Sequence, residues 1–376
     1  MRQKTLIILA AVTLVLLLAA IFVPRAGTGR TPPAATAGPV FPTLKDWVGT
    51  AAKIVIKGAD GIVTLERVQA TPAAAAQPPA GQAPAAPATG QAPAPAAPVP
   101  PPAVLSWKIT EKAGYPALSA PVQQLVNGLQ ALRYVEPKTR RPDMFPRLEV
   151  EEAGKPEAKS RQVEVFDGNG ARIAGVIVGK VRGGGAGGGD DGVYIRLPED
   201  AQSWLAQPPI TVSSDFLTWI DRRVSDIDPA RVQSVTLTGP DGKALTVGRA
   251  TGNDMLAVRD LPANAKLKSG DPLVAIGAAF RGMEFADVRP ARELTAAGSG
   301  SAQLVTLDGL TLTLALVDQD GGTWAVVSAS GGMGVAKEAV DIMAATKGWA
   351  YKLPPGKANV LKTKLADLID VPAKPS

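Results

Sequence analysis

Lys53-Ile54-Val55-Ile56, a turn at Asp60-Gly61 and a return through Thr64-Leu65-Glu66-Arg67 are echoed far down the chain. The echo is Val235-Thr236-Leu237, Asp241-Gly242 and Thr246-Val247-Gly248-Arg249. Apolar residues alternate with polar ones in each segment, which is the period of a half-buried strand. Asp-Gly between two such runs is a hairpin signal, because glycine enters the left-handed backbone a tight turn requires. Each hairpin is followed by a short alternating strand, Trp107-Lys108-Ile109 or Leu256-Ala257-Val258. A capped helix comes next, and then Val135-Glu136-Pro137 or Val288-Arg289-Pro290. An ordered series of matches predicts one supersecondary unit used twice.

Working outward, the first unit's helix starts near Ser119 with Pro121 in its first turn, where a missing N–H costs little. Val122, Leu125, Val126, Leu129 and Leu132 then share one face. In the second unit Asp271 reads as N-cap and Pro272 as N1, with Leu273, Ile276 and Phe280 as the apolar face. Further strand pairs follow in each. Val163 to Phe166, Asp167-Gly168 and Ile173 to Val178 answer to Val305-Thr306-Leu307, Asp308-Gly309 and Leu310 to Val317. Val193-Tyr194-Ile195 then answers to Trp324-Ala325-Val326, and a last helix over 358–369 carries Leu361, Leu365 and Leu368. Strands joined by Asp-Gly turns with single helices between them predict α+β: antiparallel sheets with helices packed on one face.

The amino terminus sets the organisation. Met1-Arg2-Gln3-Lys4 precedes an apolar run over residues 5–23. At about 1.5 Å per residue such a helix reaches roughly the thickness of a bilayer core. No small-x-small cleavage site is evident, so an uncleaved transmembrane helix is expected, with residues 1–4 as a cytoplasmic tip. The expected order is a flexible tether over 24–43, a first α+β unit over 44–228, a second over 229–370 and a tail over 371–376. Residues 70–103 are almost wholly Ala, Pro, Gln and Gly, a composition that cannot bury a core. They separate segments that lie close together in the second unit, so the tract is an insertion into a loop. The expected location is single-pass in a bacterial cytoplasmic membrane, with the bulk of the chain periplasmic.

Composition narrows the chemistry. The 376 residues contain no cysteine and no histidine. That removes thiolate nucleophiles, Cys-based metal sites, the usual general base and the Ser-His-Asp arrangement. A net charge of +6 is spread without a basic, aromatic-interleaved face, which argues against nucleic acid. The Gly-rich run at 183–192 lacks the Lys and hydroxyl of a phosphate-binding loop, and Asp190-Asp191 lacks calcium-loop spacing. Glu151-Glu152 are adjacent, unlike glycosidase carboxylates from separate elements. No catalytic, metal or cofactor residue is therefore expected. Two places can bind a partner. Trp219 with Arg222 can dock one, since Trp and Arg dominate interface energetics; alternatively Trp219 packs under a helix end behind a cap at Ser213 or Ser214. Arg140 and Arg141, in a basic run with Lys138 and Arg147, can meet anionic headgroups or polysaccharide; alternatively the run is a solvated loop.

Together, the anchor, the "strand, Asp-Gly, strand, Trp-x-Ile" opening, Tyr115-Pro116, Val193-Tyr194, Trp219-Ile220-Asp221-Arg222 and the closing Trp349-Ala350-Tyr351-Lys352-Leu353-Pro354 resemble the bacterial DUF4340 family, a domain of unknown function. The resemblance covers about residues 44–370 and transfers no catalytic residue. It implies partners among ABC-type permeases and GldG-like membrane proteins. The expected function is a non-enzymatic, membrane-anchored envelope protein, an accessory or binding component of an ABC-type export system. A cell-wall glycan-binding module and a carboxylate-dependent envelope hydrolase are the alternatives.

Overall fold

Residues 38–68, 106–183, 191–249, 255–263, 265–268 and 272–370 are described by the computed structural model. In β1 (Ala51–Gly58) Ile54 and Ile56 are fully buried, while Lys57 between Ile56 and the turn is exposed. β2 (Gly61–Val68) returns with Val63 and Leu65 buried. Gly58 stands opposite Gly61, whose φ of +141° is a conformation only glycine enters readily.

The first sheet adds β3 (Ser106–Ile109), β4 (Tyr115–Ala117), β5 (Arg133–Pro137), β6 (Arg161–Asp167), β7 (Arg172–Arg182), β8 (Gly192–Arg196) and β9 (Ser203–Gln207). Its spatial order is β4-β3-β2-β1-β6-β7-β8-β9-β5. After β10 (Arg223–Ser225) come β11 (Val232–Thr238), β12 (Ala244–Arg249), β13 (Leu256–Val258), β14 (Lys266–Leu267), β15 (Met283–Glu284) and β16 (Asp287–Pro290). β17 (Gly298–Thr306), β18 (Leu310–Gln319), β19 (Gly322–Gly331), β20 (Trp349–Lys352) and β21 (Ile369–Asp370) complete the strands. The second sheet has the order β13-β12-β11-β17-β18-β19-β20-β16, while β10 pairs with β15 and β14 with β21. Strand for strand, this is the first sheet's connectivity without β4. All neighbours run antiparallel.

The correspondence extends to irregularities. The ladder of β1 with β6 slips between Ala51 and Lys53, and that of β11 with β17 slips between Val232 and Ser234. A bulge leaves a carbonyl to be satisfied from outside the regular ladder. The Arg67 guanidinium donates to the Ala51 carbonyl at 3.3 Å, and that of Arg249 to the Val232 carbonyl at 2.8 Å. At the far edge Pro137 faces Trp204 and Pro290 faces Trp349. Edge strands are where a residue without an N–H belongs. Register corrects one pairing: Tyr194 faces Leu205 and Val326 faces Ala350, so Val193 answers to Ala325, one residue on from Trp324.

Helices bury the apolar faces. α1 (Trp47–Thr50) leads into β1. α2 (Ser119–Ala131) carries the chain from the β4 edge to β5 at the opposite edge, and it buries Val122, Leu125, Val126 and Leu129 as their spacing requires. α3 (Phe145–Leu148) departs from the expected single-faced packing. Phe145 and Val150 pack with Ile177 in a separate cluster. Ile177 lies between Val176 and Val178, which both join the main core, so strand alternation puts it on the other face. α4 (Pro272–Gly277) makes the second crossing on Leu273 and Ile276, and α5 (Ala336–Thr346) packs on β18 and β19. The last helix is broken. α6 (Pro355–Leu361) ends, and α7 (Leu365–Leu368) restarts where the Asp367 carboxylate accepts from the Lys364 N–H at 2.8 Å. Leu361 and Leu368 are buried all the same.

Residues of both sheets share one continuous apolar cluster. The apolar run at 5–23, the insertion at 70–103, the Asp271 cap and most of the Gly-rich run (184–190) lie outside the described residues. Among the described residues no helix is long and apolar enough to cross a membrane. Leu312 is fully buried in β18, whereas Val340 on α5 is 64 % exposed. Leu312→Ala is expected to lower unfolding free energy in urea by about 2–5 kcal/mol, and Val340→Ala to change it by at most about 0.5 kcal/mol.

Candidate functional site

The two sheets meet where β4 packs against β20 and the residue pair just before β16. Tyr115 is 4.9 Å from Trp349, 6.0 Å from Phe285 and 6.4 Å from Tyr351, each edge-on, and Phe285 lies 4.9 Å from Tyr351. Such pairs contribute about 0.5–1.5 kcal/mol each beyond area burial. At the edge of this cluster the Lys112 ammonium meets Asp287 at 2.6 Å and sits 4.0 Å over the Phe216 ring. Burial pushes the Tyr351 hydroxyl far above its usual range, and Tyr115 adds to the shift. Burial also raises Tyr115, against a hydrogen bond with Tyr351. Both phenols stay protonated in the folded protein at neutral pH.

A cavity of about 330 Å³ opens beside this cluster, lined by Tyr115, Asp221, Arg223, Asp226, Asp341 and Tyr351 among others. Its carboxylates come from different elements, yet each has a partner. Arg223 bonds Asp221 at 3.2 Å and holds its carboxyl below the usual range. Asp226 accepts from the Gly282 N–H at 2.9 Å, and Asp341 pairs with Lys337 at 2.6 Å. A larger cavity of about 870 Å³ lies at the hairpin end of the second sheet, between the Gly239–Leu245 turn, the start of β17 and the α6–α7 connection. There Asp318 accepts from Lys362 at 2.5 Å and from Thr323 at 2.7 Å. Lys362 first, with Thr323 and Ser299, holds the Asp318 carboxyl below its usual range.

The sequence-derived residues divide. Trp219 is 3 % exposed, and its indole N–H donates to the Ser213 carbonyl at 3.1 Å. Its short 3-10 turn is capped by Asp215, whose carboxylate accepts from Leu217 at 3.0 Å, rather than by Ser213 or Ser214. Asp215 immediately precedes the turn, where a side-chain oxygen reaches the second N–H. The Trp219 carbonyl also accepts from Leu118 at 2.7 Å, which ties the start of α2. The indole therefore serves the core. Arg222 is half-exposed and pairs with Glu284 at 3.2 Å beside the junction. Arg140 and Arg141 are exposed, and Arg141 is joined to Asp143 at 2.7 Å. No hydrogen bond or ion pair among the described residues brings these arginines to Arg222 or Trp219. Glu151 accepts from the Lys159 N–H at 2.7 Å and Glu152 from Arg196 at 2.5 Å, so that pair braces the segment around α3. Tyr115, Trp349 and Tyr351 were quoted in the sequence as motif pieces and Phe285 was not; no local signal shows that Tyr115 meets residues more than 160 positions away.

A family model described as a domain of unknown function, DUF4340, matches residues 107–299, from β3 to the start of β17. No curated protein and no solved structure matches the chain.

Phe285 is fully buried at the junction, whereas Lys112 and Asp287 are partly solvated. Phe285→Ala is expected to cost about 3–5 kcal/mol of unfolding free energy, and Asp287→Asn about 1 kcal/mol or less. The reverse order in chemical denaturation would assign the junction to its ion pair. Because the folded-state pKa of Asp318 is depressed, its contribution is present above the unfolded carboxylate pKa and lost as pH falls through the folded value. Asp318→Asn is expected to remove that part of the acid-side slope in a pH series of urea midpoints and to leave the neutral-to-alkaline slope unchanged.

Proposed function

We propose, for a chain that belongs to the DUF4340 family, a recognition role without catalysis: a membrane-anchored envelope protein that acts as an accessory or binding component of an ABC-type export system. One observation carries the reading. Two sheets of the same connectivity share one core and an aromatic junction, which makes a stiff platform rather than a hinged cleft. Rigid elements hold a docking surface at low ordering cost. The apolar run at 5–23, with Arg2 and Lys4 before it, supports an anchor in the cytoplasmic membrane with the sheets outside. Exposed Arg140 and Arg141, with half-exposed Arg222, are the side chains on offer to a permease or GldG-like partner. A non-enzymatic role fits a chain without histidine or cysteine.

The junction cavity favours a second reading, a glycan-acting or glycan-binding module, because Asp221, Asp226 and Asp341 converge there. Glycoside hydrolysis needs one carboxyl raised in pKa to act as acid. Asp221 is shifted the other way and so does not fill the acid's role; recognition by the shared two-sheet core is the reading we favour.

Full-length protein carrying a photo-crosslinker at Arg140 or Arg141, irradiated in native membranes, is expected to yield an adduct with an ABC permease subunit. Adducts with no transporter subunit, together with a carboxyl-terminal reporter active in the cytosol, would remove the proposal.

A further inference from the structure

We infer that the cavity of about 870 Å³ at the hairpin end of the second sheet binds a small amphipathic anion, one apolar tail with a single anionic head. The inference stands apart from the exporter reading and rests on a difference between the two sheets. Lys57 faces Gln162 in the first sheet as Thr238 faces Ser301 in the second. Gly58 therefore corresponds to Gly239, and Arg161 to Gly300. In the first sheet the space above the glycine is filled: a Cβ on Gly58 would lie 2.3 Å from Ser214 Oγ and 2.6 Å from Arg161 Cδ. Arg161 is fixed there by Asp60 at 2.8 Å and by the carbonyls of Lys159 and Ser160 at 3.0 and 3.2 Å.

In the second sheet the plug is gone. Gly300 has no side chain, and its φ of +129° with a Cβ position 2.2 Å from the Thr238 carbonyl oxygen leaves no room for one. A Cβ on Gly239 would lie 2.7 Å from the Asp241 carboxylate and 3.8 Å from the Lys243 carbonyl, so only its own turn folds over this glycine where Ser214 and Arg161 cover Gly58. The resulting volume falls in the range of small-molecule sites, about 300–1,000 Å³. Its composition names the ligand class. Leu245, Leu316 and Leu361 are buried side chains that line it and give an apolar floor. The rim carries Lys243, Lys362 and Lys364 against Asp241 and Asp318. Lys362 is joined to Asp318 at 2.5 Å, and Lys243 lies 3.9 Å from Asp241. Lys364 is exposed, and among the described residues no acid lies within ion-pair distance of its ammonium. A tail on the leucines with its head at Lys364 and Lys243 satisfies both surfaces.

The test is calorimetric titration of the full-length chain with octyl phosphate and octanoate, with octyl glucoside and octyltrimethylammonium as neutral and cationic controls, all below their micelle concentrations. Two variants sit on exposed positions: Lys243→Glu with Lys364→Glu, and Ala366→Trp at the cavity wall. At least one anionic probe is expected to bind tenfold or more tightly than either control. The charge reversal is expected to lower that affinity at least tenfold and spare octyl glucoside, while Ala366→Trp abolishes the cavity-specific heat. Preference for octyl phosphate over octanoate would assign a lipid-phosphate-like source, and the converse a carboxylate source. The difference between wild type and Ala366→Trp separates the cavity from any other alkyl-binding segment. Equal binding by octyl glucoside, or wild-type affinity in both variants, would overturn the inference.

Discussion

Each sheet in this protein is a surface with one face that cannot stay in water, and the two faces are hidden in a single apolar core. Ile54, Ile56, Val165 and Leu65 from one sheet and Val235, Leu304, Leu312 and Leu314 from the other belong to the same cluster. At about 25 cal/mol per Å² of apolar area, burial of this kind outweighs anything the solvated ion pairs supply. The connectivity follows from that demand. In each half the chain passes from one sheet edge to the other to lay down the far edge strand, β5 or β16, before the next four strands fill the space between, and α2 and α4 make that passage across the apolar face. The helix that connects is thus the helix that covers.

Where the halves differ, the difference is informative. The first half adds β4 at its edge, which places Tyr115 against Phe285, Trp349 and Tyr351 of the second. It also carries a longer connection from β5 to β6, whose α3 covers the outer face around Ile177. The second half has lost the Arg161 plug at Gly300 and keeps an open cavity. Shared positions, such as the bulges opposite Arg67 and Arg249, maintain the sheets; the unshared ones set the junction and the cavity.

Local chemistry made much of the fold legible. Asp60-Gly61, Asp241-Gly242 and Asp308-Gly309 mark turns because glycine's backbone freedom is a property of one residue, and alternation in Val163 to Phe166 or Leu310 to Val317 is a property of a few neighbours. The order of those pieces predicted the shared connectivity. What could not be read depends on distant partners. From sequence Trp219 admits both a docking reading and a core reading, the latter being the commoner fate of a partly buried indole, and the turn carbonyl of Ser213 and the start of α2 decide for core. Leu361, Leu365 and Leu368 keep a helical period across a break that Asp367 creates by capping Lys364. The cavity had a signal, Arg161 against Gly300, but it emerges only once strand register aligns the two halves.

If one core holds both sheets, they open together. Native-state hydrogen exchange on the full-length chain tests this most directly, through the amides of β1 and β6 in one sheet and of β11 and β18 in the other. The slowest amides in both sheets are expected to share one opening free energy, equal to that of global unfolding, and to lose it in parallel as denaturant is added. Slow amides in one sheet that exchange through a separate opening of markedly lower free energy, while the other stays protected, would contradict it.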